Sequence, residues 1–124
     1  MKVKNITLNI QDENTFIEGV KRDMEQIADG RNVDHESVIS FESIAVMKKF
    51  ITDERVRVLK TIKNYKPASI YELAKILHRD AKNVSNDVHY LSELGLIDIE
   101  KQKTGRAKTK PVVDYDKIVL EIAI

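Results

Sequence analysis

The segment from Ser69 to Val113 constrains the fold more than any other part of the chain. It opens with Ser69-Ile70-Tyr71-Glu72, a capping box: the serine caps a helix N-terminus and the glutamate reaches back from the third helical position. The helix it starts turns Ile70, Leu73, Ala74 and Leu77 inward and lasts about two turns. His78-Arg79-Asp80 breaks it, and Asp80 stands where the N-cap of a second helix belongs. Ala81, Val84, Val88 and Leu91 form the apolar stripe of that second helix, which runs to Leu94 with Gly95 as the left-handed residue beyond it. Leu96–Glu100 then reads as a strand, the basic stretch that follows turns at Gly105, and Lys110–Val113 reads as a return strand with Pro111 at an edge. This succession of helix, tight turn, longer helix, strand, basic loop and strand is the order of a winged helix-turn-helix.

The flanking sequence adds an extension. Ile6, Leu8 and Ile10 alternate with Thr7 and Asn9, as on a strand with one apolar face. Residues 11–30 read as an amphipathic helix with Phe16, Val20 and Ile27 aligned, ending at Gly30. Ser37–Phe41 alternates as a strand, and Ser43–Phe50 resembles a short helix. Thr52, followed by Asp53 and Glu54, caps a helix carrying Val56, Leu59 and Ile62, which stops before Pro67. At the C-terminus Ile118, Leu120, Ile122 and Ile124 alternate as in a strand paired with residues 3–10; a short helix is the alternative. The expected class is α+β, a winged helix-turn-helix with an N-terminal strand-helix-strand extension. The division expected is an extension over 1–42, for dimerisation or a partner, and a DNA-binding domain over 43–124.

Charge is uneven along the chain. The net value is +1, but residues 1–40 sum to −3, residues 41–66 to +4, and KQKTGRAKTK (residues 101–110) holds five bases and no acid. A near-neutral total with a basic finger fits docking by one face, not indiscriminate coating of nucleic acid. Cysteine is absent, which excludes disulfides and thiolate metal sites and suits a reducing compartment, so a cytoplasmic location is expected. No apolar run approaches the roughly 18 residues of a membrane helix, and the N-terminus lacks the apolar core of a signal peptide.

With Val84, Val88 and Leu91 inward, the second helix presents Lys82, Asn83, Ser85, Asn86, His89 and Tyr90 on its other face. Asn can bond adenine bidentately, Lys can donate to guanine, and Ser or Tyr can reach bases or phosphate. On an isolated helix such residues are usually a solvated surface; between a capping box and a basic wing they read as a DNA-reading face. Lys101, Lys103, Arg106, Lys108 and Lys110 straddle the glycine turn, so a hairpin brings both arms to phosphate. Arg79 lies where phosphate approaches the helix N-terminus, and it can equally pair with Asp80 or Glu72.

Residues 69–118, above all Ser69-Ile70-Tyr71-Glu72-Leu73-Ala74, Arg79-Asp80, Asn83-Val84, Asp87-Val88 and Leu94-Gly95-Leu96-Ile97, resemble the winged helix-turn-helix of MarR-like transcriptional regulators from archaea and bacteria. A group with a short N-terminal extension is more similar still, sharing the Phe41-Glu42-Ser43 strand before the Thr52-capped helix. The resemblance covers residues 41–118 well and the first forty loosely. It implies a regulator of transcription that binds double-stranded DNA. The departure is at the N-terminus, where MarR-like domains carry long dimerising helices and this chain carries a strand-helix-strand pattern.

An enzyme needs converging reactive groups, and His35, His78 and His89 stand apart with no metal-ligand spacing, P-loop, GxGxxG or GxSxG. No enzyme activity, cofactor or metal is expected. The rival reading is a protein-interaction module, such as a DNA-binding antitoxin whose acidic first forty residues mask a toxin-like partner. Homodimerisation is the favoured role for that region, because paired half-sites give a two-fold dimer its specificity.

Overall fold

The computed structural model describes residues 4–11, 38–102 and 108–124. The expected helix over 11–30 and the wing turn at Gly105 lie outside them. Among the described residues the protein is a small α+β fold of four helices and two sheets: β1 (Asn5–Ile10), β2 (Val38–Phe41), α1 (Ile44–Phe50), α2 (Asp53–Tyr65), α3 (Ile70–Leu77), α4 (Ala81–Glu93), β3 (Asp98–Gln102), β4 (Lys108–Val112) and β5 (Lys117–Ile122). Two compact units result, one of residues 1–48 with 115–124 and one of residues 49–114. The sequence pattern divides the chain at 42/43. The fold instead groups the last ten residues with the first unit, because β5 pairs with β1.

The first unit holds a three-stranded sheet in the order β2-β1-β5, both pairings parallel. The C-terminal segment is therefore a strand, and its partner is the one its alternation pointed to. Ile6, Leu8 and Ile10 of β1 are buried, and Thr7 on the opposite side is buried too, as befits a central parallel strand. The register places Leu8 beside Ile39 and Leu120, and Ile10 beside Phe41 and Ile122, so two apolar rows cross all three strands. The Lys4 amide donates to Asp116 Oδ2 at 3.1 Å and the Asp116 amide donates to the Lys4 carbonyl at 2.8 Å, fixing where this pairing begins.

In the second unit α2, α3 and α4 pack on one another, with β4 against α2 and α3. The core comprises Val58, Leu59, Ile62, Leu73, Ala74, Leu77, Val84, Val88, Leu91, Leu96, Ile97 and Val113. Val56, expected inward, is only half-buried, and Val58 is fully buried in its place. The stripe of α2 is thus rotated relative to the three-residue spacing read from sequence. Thr61 is also buried, its hydroxyl donating to the Arg57 carbonyl at 2.8 Å.

Helix ends explain the boundaries. Thr52 Oγ1 accepts from the Arg55 amide and Ser69 Oγ from the Glu72 amide, each satisfying one otherwise unpaired donor of a first turn. The capping box closes one residue further out than expected: Glu72 Oε2 accepts from the Ala68 amide at 3.2 Å, not from Ser69. Asp80 makes no side-chain cap. At φ −60° and ψ 132° it departs from the extended backbone of Thr52 (−103°, 164°) and Ser69 (−155°, 165°), and only its carbonyl enters α4. Gly95, at φ 86°, ends α4 as expected: its amide donates to Ser92, and the Leu96 amide donates to Leu91 at 2.9 Å.

Candidate nucleic-acid interface

The joint between α3 and α4 sets up the site. His78 sits in the left-handed region at φ 55°, its amide donating to the Lys75 carbonyl while the Arg79 amide donates to Ala74. These two bonds form the motif that ends helices at a left-handed residue, here a histidine where glycine is the usual choice. The turn swings the chain directly into Ala81 and α4. On that helix Val84, Val88 and Leu91 are 0%, 2% and 0% exposed, which fixes the rotation of α4 about its axis. Burying such side chains stabilises a fold by about 1.5–3 kcal/mol each.

With that stripe inward, Lys82, Asn83, Ser85, Asn86, His89 and Tyr90 are all exposed, together on the other side. His89 Nε2 lies 3.2 Å from Glu93 Oε1, one turn on, and the His89 and Tyr90 rings meet edge-on at 6.2 Å. The Arg55 guanidinium stands 4.9 Å from the Tyr90 ring centroid, which orders that side chain through a cation–π contact. Lys82, Asn83, Ser85 and Asn86 carry the hydrogen-bonding variety of the face.

Arg79 pairs with neither Asp80 nor Glu72. Its Nη1 donates to Asp87 Oδ2 at 2.8 Å and lies 3.5 Å from Glu54. Sequence proximity favoured the near acids, but the turn points the guanidinium across to α4 and α2. The other Asp87 oxygen accepts from Arg55 Nε at 3.2 Å, and Arg55 Nη1 donates to the Lys49 and Phe50 carbonyls at the end of α1. Arg57 reaches the Leu77 carbonyl, closing the end of α3. Arg55, Asp87 and Arg57 do not stand out in the sequence as site residues. Arg55 and Asp87 are 32 positions apart, so no local spacing reveals their pairing.

β3 and β4 form an antiparallel hairpin with Lys101 opposite Thr109, Gln102 opposite Lys108 and Glu100 opposite Lys110. Lys101 is exposed. Lys110 is half-buried across from an acid and lines an open pocket of about 320 Å³ together with Lys63, Lys66 and Asp114. Lys103 and Arg106 lie outside the described residues, and the backbone alone places Lys108, on β4. Among the described residues no three His, Asp or Glu side chains gather as metal ligands, and no helix is long and apolar enough to cross a membrane.

These features define a small α+β protein whose second unit holds a helix with one polar face and a hairpin that carries Lys101, Lys108 and Lys110. The chain belongs to the HVO_A0114 family, whose model matches residues 50–120, more than half of its length. No curated protein matches the chain. The family name states neither an activity nor a ligand, so function rests on the site.

Proposed function

We propose that residues 52–113 form a winged helix-turn-helix and that the protein is a sequence-specific, double-stranded DNA-binding regulator of transcription, MarR-like in its reading domain and acting as a cytoplasmic homodimer. One observation carries the reading: α4 is buried along Val84, Val88 and Leu91 and exposed along Lys82, Asn83, Ser85, Asn86, His89 and Tyr90. A helix so divided, held rigid by Asp87 between two arginines, offers donors and acceptors suited to base edges in a major groove. The hairpin supplies the wing in this reading, its cations Lys101, Lys103, Arg106 and Lys108 holding phosphate on the flank. Arg79 acts in this reading through Asp87, orienting the helix, and its side chain is 24% exposed, which leaves it open to an approaching phosphate.

The test is a titration of the protein into its own upstream DNA and into a scrambled duplex, followed by anisotropy at two salt concentrations. Tight, salt-sensitive binding that prefers the upstream fragment is expected. Equal, weak binding to both duplexes sinks the reading and favours the partner-binding alternative.

A further inference from the structure

We infer that β5 is a self-pairing edge whose partner is a second copy of this chain, docked antiparallel about Val119. In the order β2-β1-β5, β5 has β1 on one side and, among the described residues, no strand on the other. Ile118 is its one residue with partial cover; Val119, Leu120 and Ile122 are exposed, as is Ile124 just beyond. Neighbouring β1 buries Ile6, Leu8 and Ile10. A six-residue apolar strand open along one edge is a template for another strand. Natural proteins guard such edges with charges, and β5 carries only two: Lys117 and Glu121, of opposite sign and four positions apart.

That spacing selects a register. Two copies related by a two-fold axis keep Ile118, Leu120 and Ile122 on one face only if the axis passes a residue, not a gap between residues. About Val119, Lys117 faces the partner's Glu121 and Glu121 faces the partner's Lys117, with Ile118 opposite Leu120. About Glu121, two carboxylates collide. About Leu120, Lys117 meets Ala123 and Glu121 meets Val119; about Ile118, Lys117 meets Val119 and Glu121 meets Tyr115. Neither forms a charge pair. Opposite charges stabilise a cross-strand pair and like charges destabilise it, so Val119 is the favoured centre. The product is one continuous sheet, β2-β1-β5 running into β5-β1-β2 of the partner. This dimer rests on the DNA-reading proposal only for its purpose, which is to present two reading helices to paired half-sites.

The experiment is sedimentation equilibrium of the full chain without DNA at low micromolar concentration. The wild type is expected as a dimer. Lys117→Glu and Glu121→Lys should each weaken it about tenfold or more, since each sets two like-charge pairs across the axis. An equimolar mixture of the two variants should restore wild-type affinity, because every pair then joins Glu to Lys; the doubly swapped chain should do the same. Circular dichroism of each variant, matching the wild type, shows that the monomers are folded. A monomeric wild type overturns the proposal, as do single variants that dimerise undiminished or a mixture that fails to recover. DNA titration separates the two ideas: a charge-sensitive dimer that binds no DNA keeps the β5 pairing and removes the reading role.

Discussion

Arg79 donates to Asp87 at 2.8 Å across the turn that joins α3 to α4, and the second oxygen of that carboxylate accepts from Arg55 on α2. Helix α2 and the α3–α4 turn therefore converge on one carboxylate of α4, whose side chain is 14% exposed. Asp87 lies one position from Val88, at the border between the buried stripe and the polar face of α4. A carboxylate accepting from two guanidinium groups forms strong, directional, charge-assisted bonds. Its consequence is geometric: α4 can neither roll nor slide without breaking one of them.

Replacing Asp87 by Ala removes the shared acceptor and leaves two arginines, 16% and 24% exposed, facing each other without it. Stability should fall by about 1–3 kcal/mol, at the low end of buried-pair losses because water reaches all three groups. Denaturant unfolding reads this as a lower midpoint with an unchanged slope. DNA affinity should drop on specific and non-specific duplexes together, since the whole helix loses its seat. A variant with wild-type stability removes Asp87 from this role.

Much of this arrangement was legible in the sequence because it is written locally. Caps at Thr52 and Ser69, the apolar periods of α3 and α4, and Gly95 all act within a few positions, and each stands where the pattern placed it except that Ile70 and Ala81, at the helix starts, are only half-buried. The exposed face of α4 followed from its buried stripe by subtraction. What local pattern could not carry was side-chain pairing over distance: Arg55 to Asp87 and Arg79 to Glu54. Asp80 failed as a cap because backbone angles, not residue type, decide whether a carboxylate reaches the first turn. His78 gave no warning of its left-handed backbone, since glycine or asparagine is the usual sign.

That histidine makes a prediction about stability. A left-handed backbone costs a side-chain-bearing residue about 1–2 kcal/mol, and glycine escapes the cost while losing more entropy on folding. His78→Gly should therefore leave stability unchanged or raise it by up to about 1 kcal/mol. At Gly95 the sign reverses. A Cβ there meets nothing within 4 Å, so Gly95→Ala should cost about 1 kcal/mol from backbone conformation alone. Thermal unfolding of both variants checks the pair, and a Gly95→Ala protein as stable as wild type contradicts it.

The wing is tested through salt. Every phosphate deprived of its cation should flatten the dependence of log affinity on log salt by about 0.9. Replacing Lys103, Arg106 and Lys108 together by Ala should weaken binding to every sequence alike and reduce the slope by about that amount for each residue that touches phosphate. An unchanged slope takes the hairpin off the DNA.

Asn83 and Asn86 test reading itself. Both are exposed on α4, three positions apart, so they fall on one side of the helix roughly a turn from each other. An amide that bonds adenine bidentately discriminates against a wrong base by about 1–3 kcal/mol, while contributing little to non-specific affinity. Asn83→Ala or Asn86→Ala should thus narrow the gap between the upstream fragment and the scrambled duplex by about tenfold, leaving affinity for the scrambled duplex and the salt slope nearly unchanged. Losses equal on both duplexes, with the preference intact, remove that residue from base reading and leave Lys82 and Ser85, exposed on the same helix, as the residues to vary next.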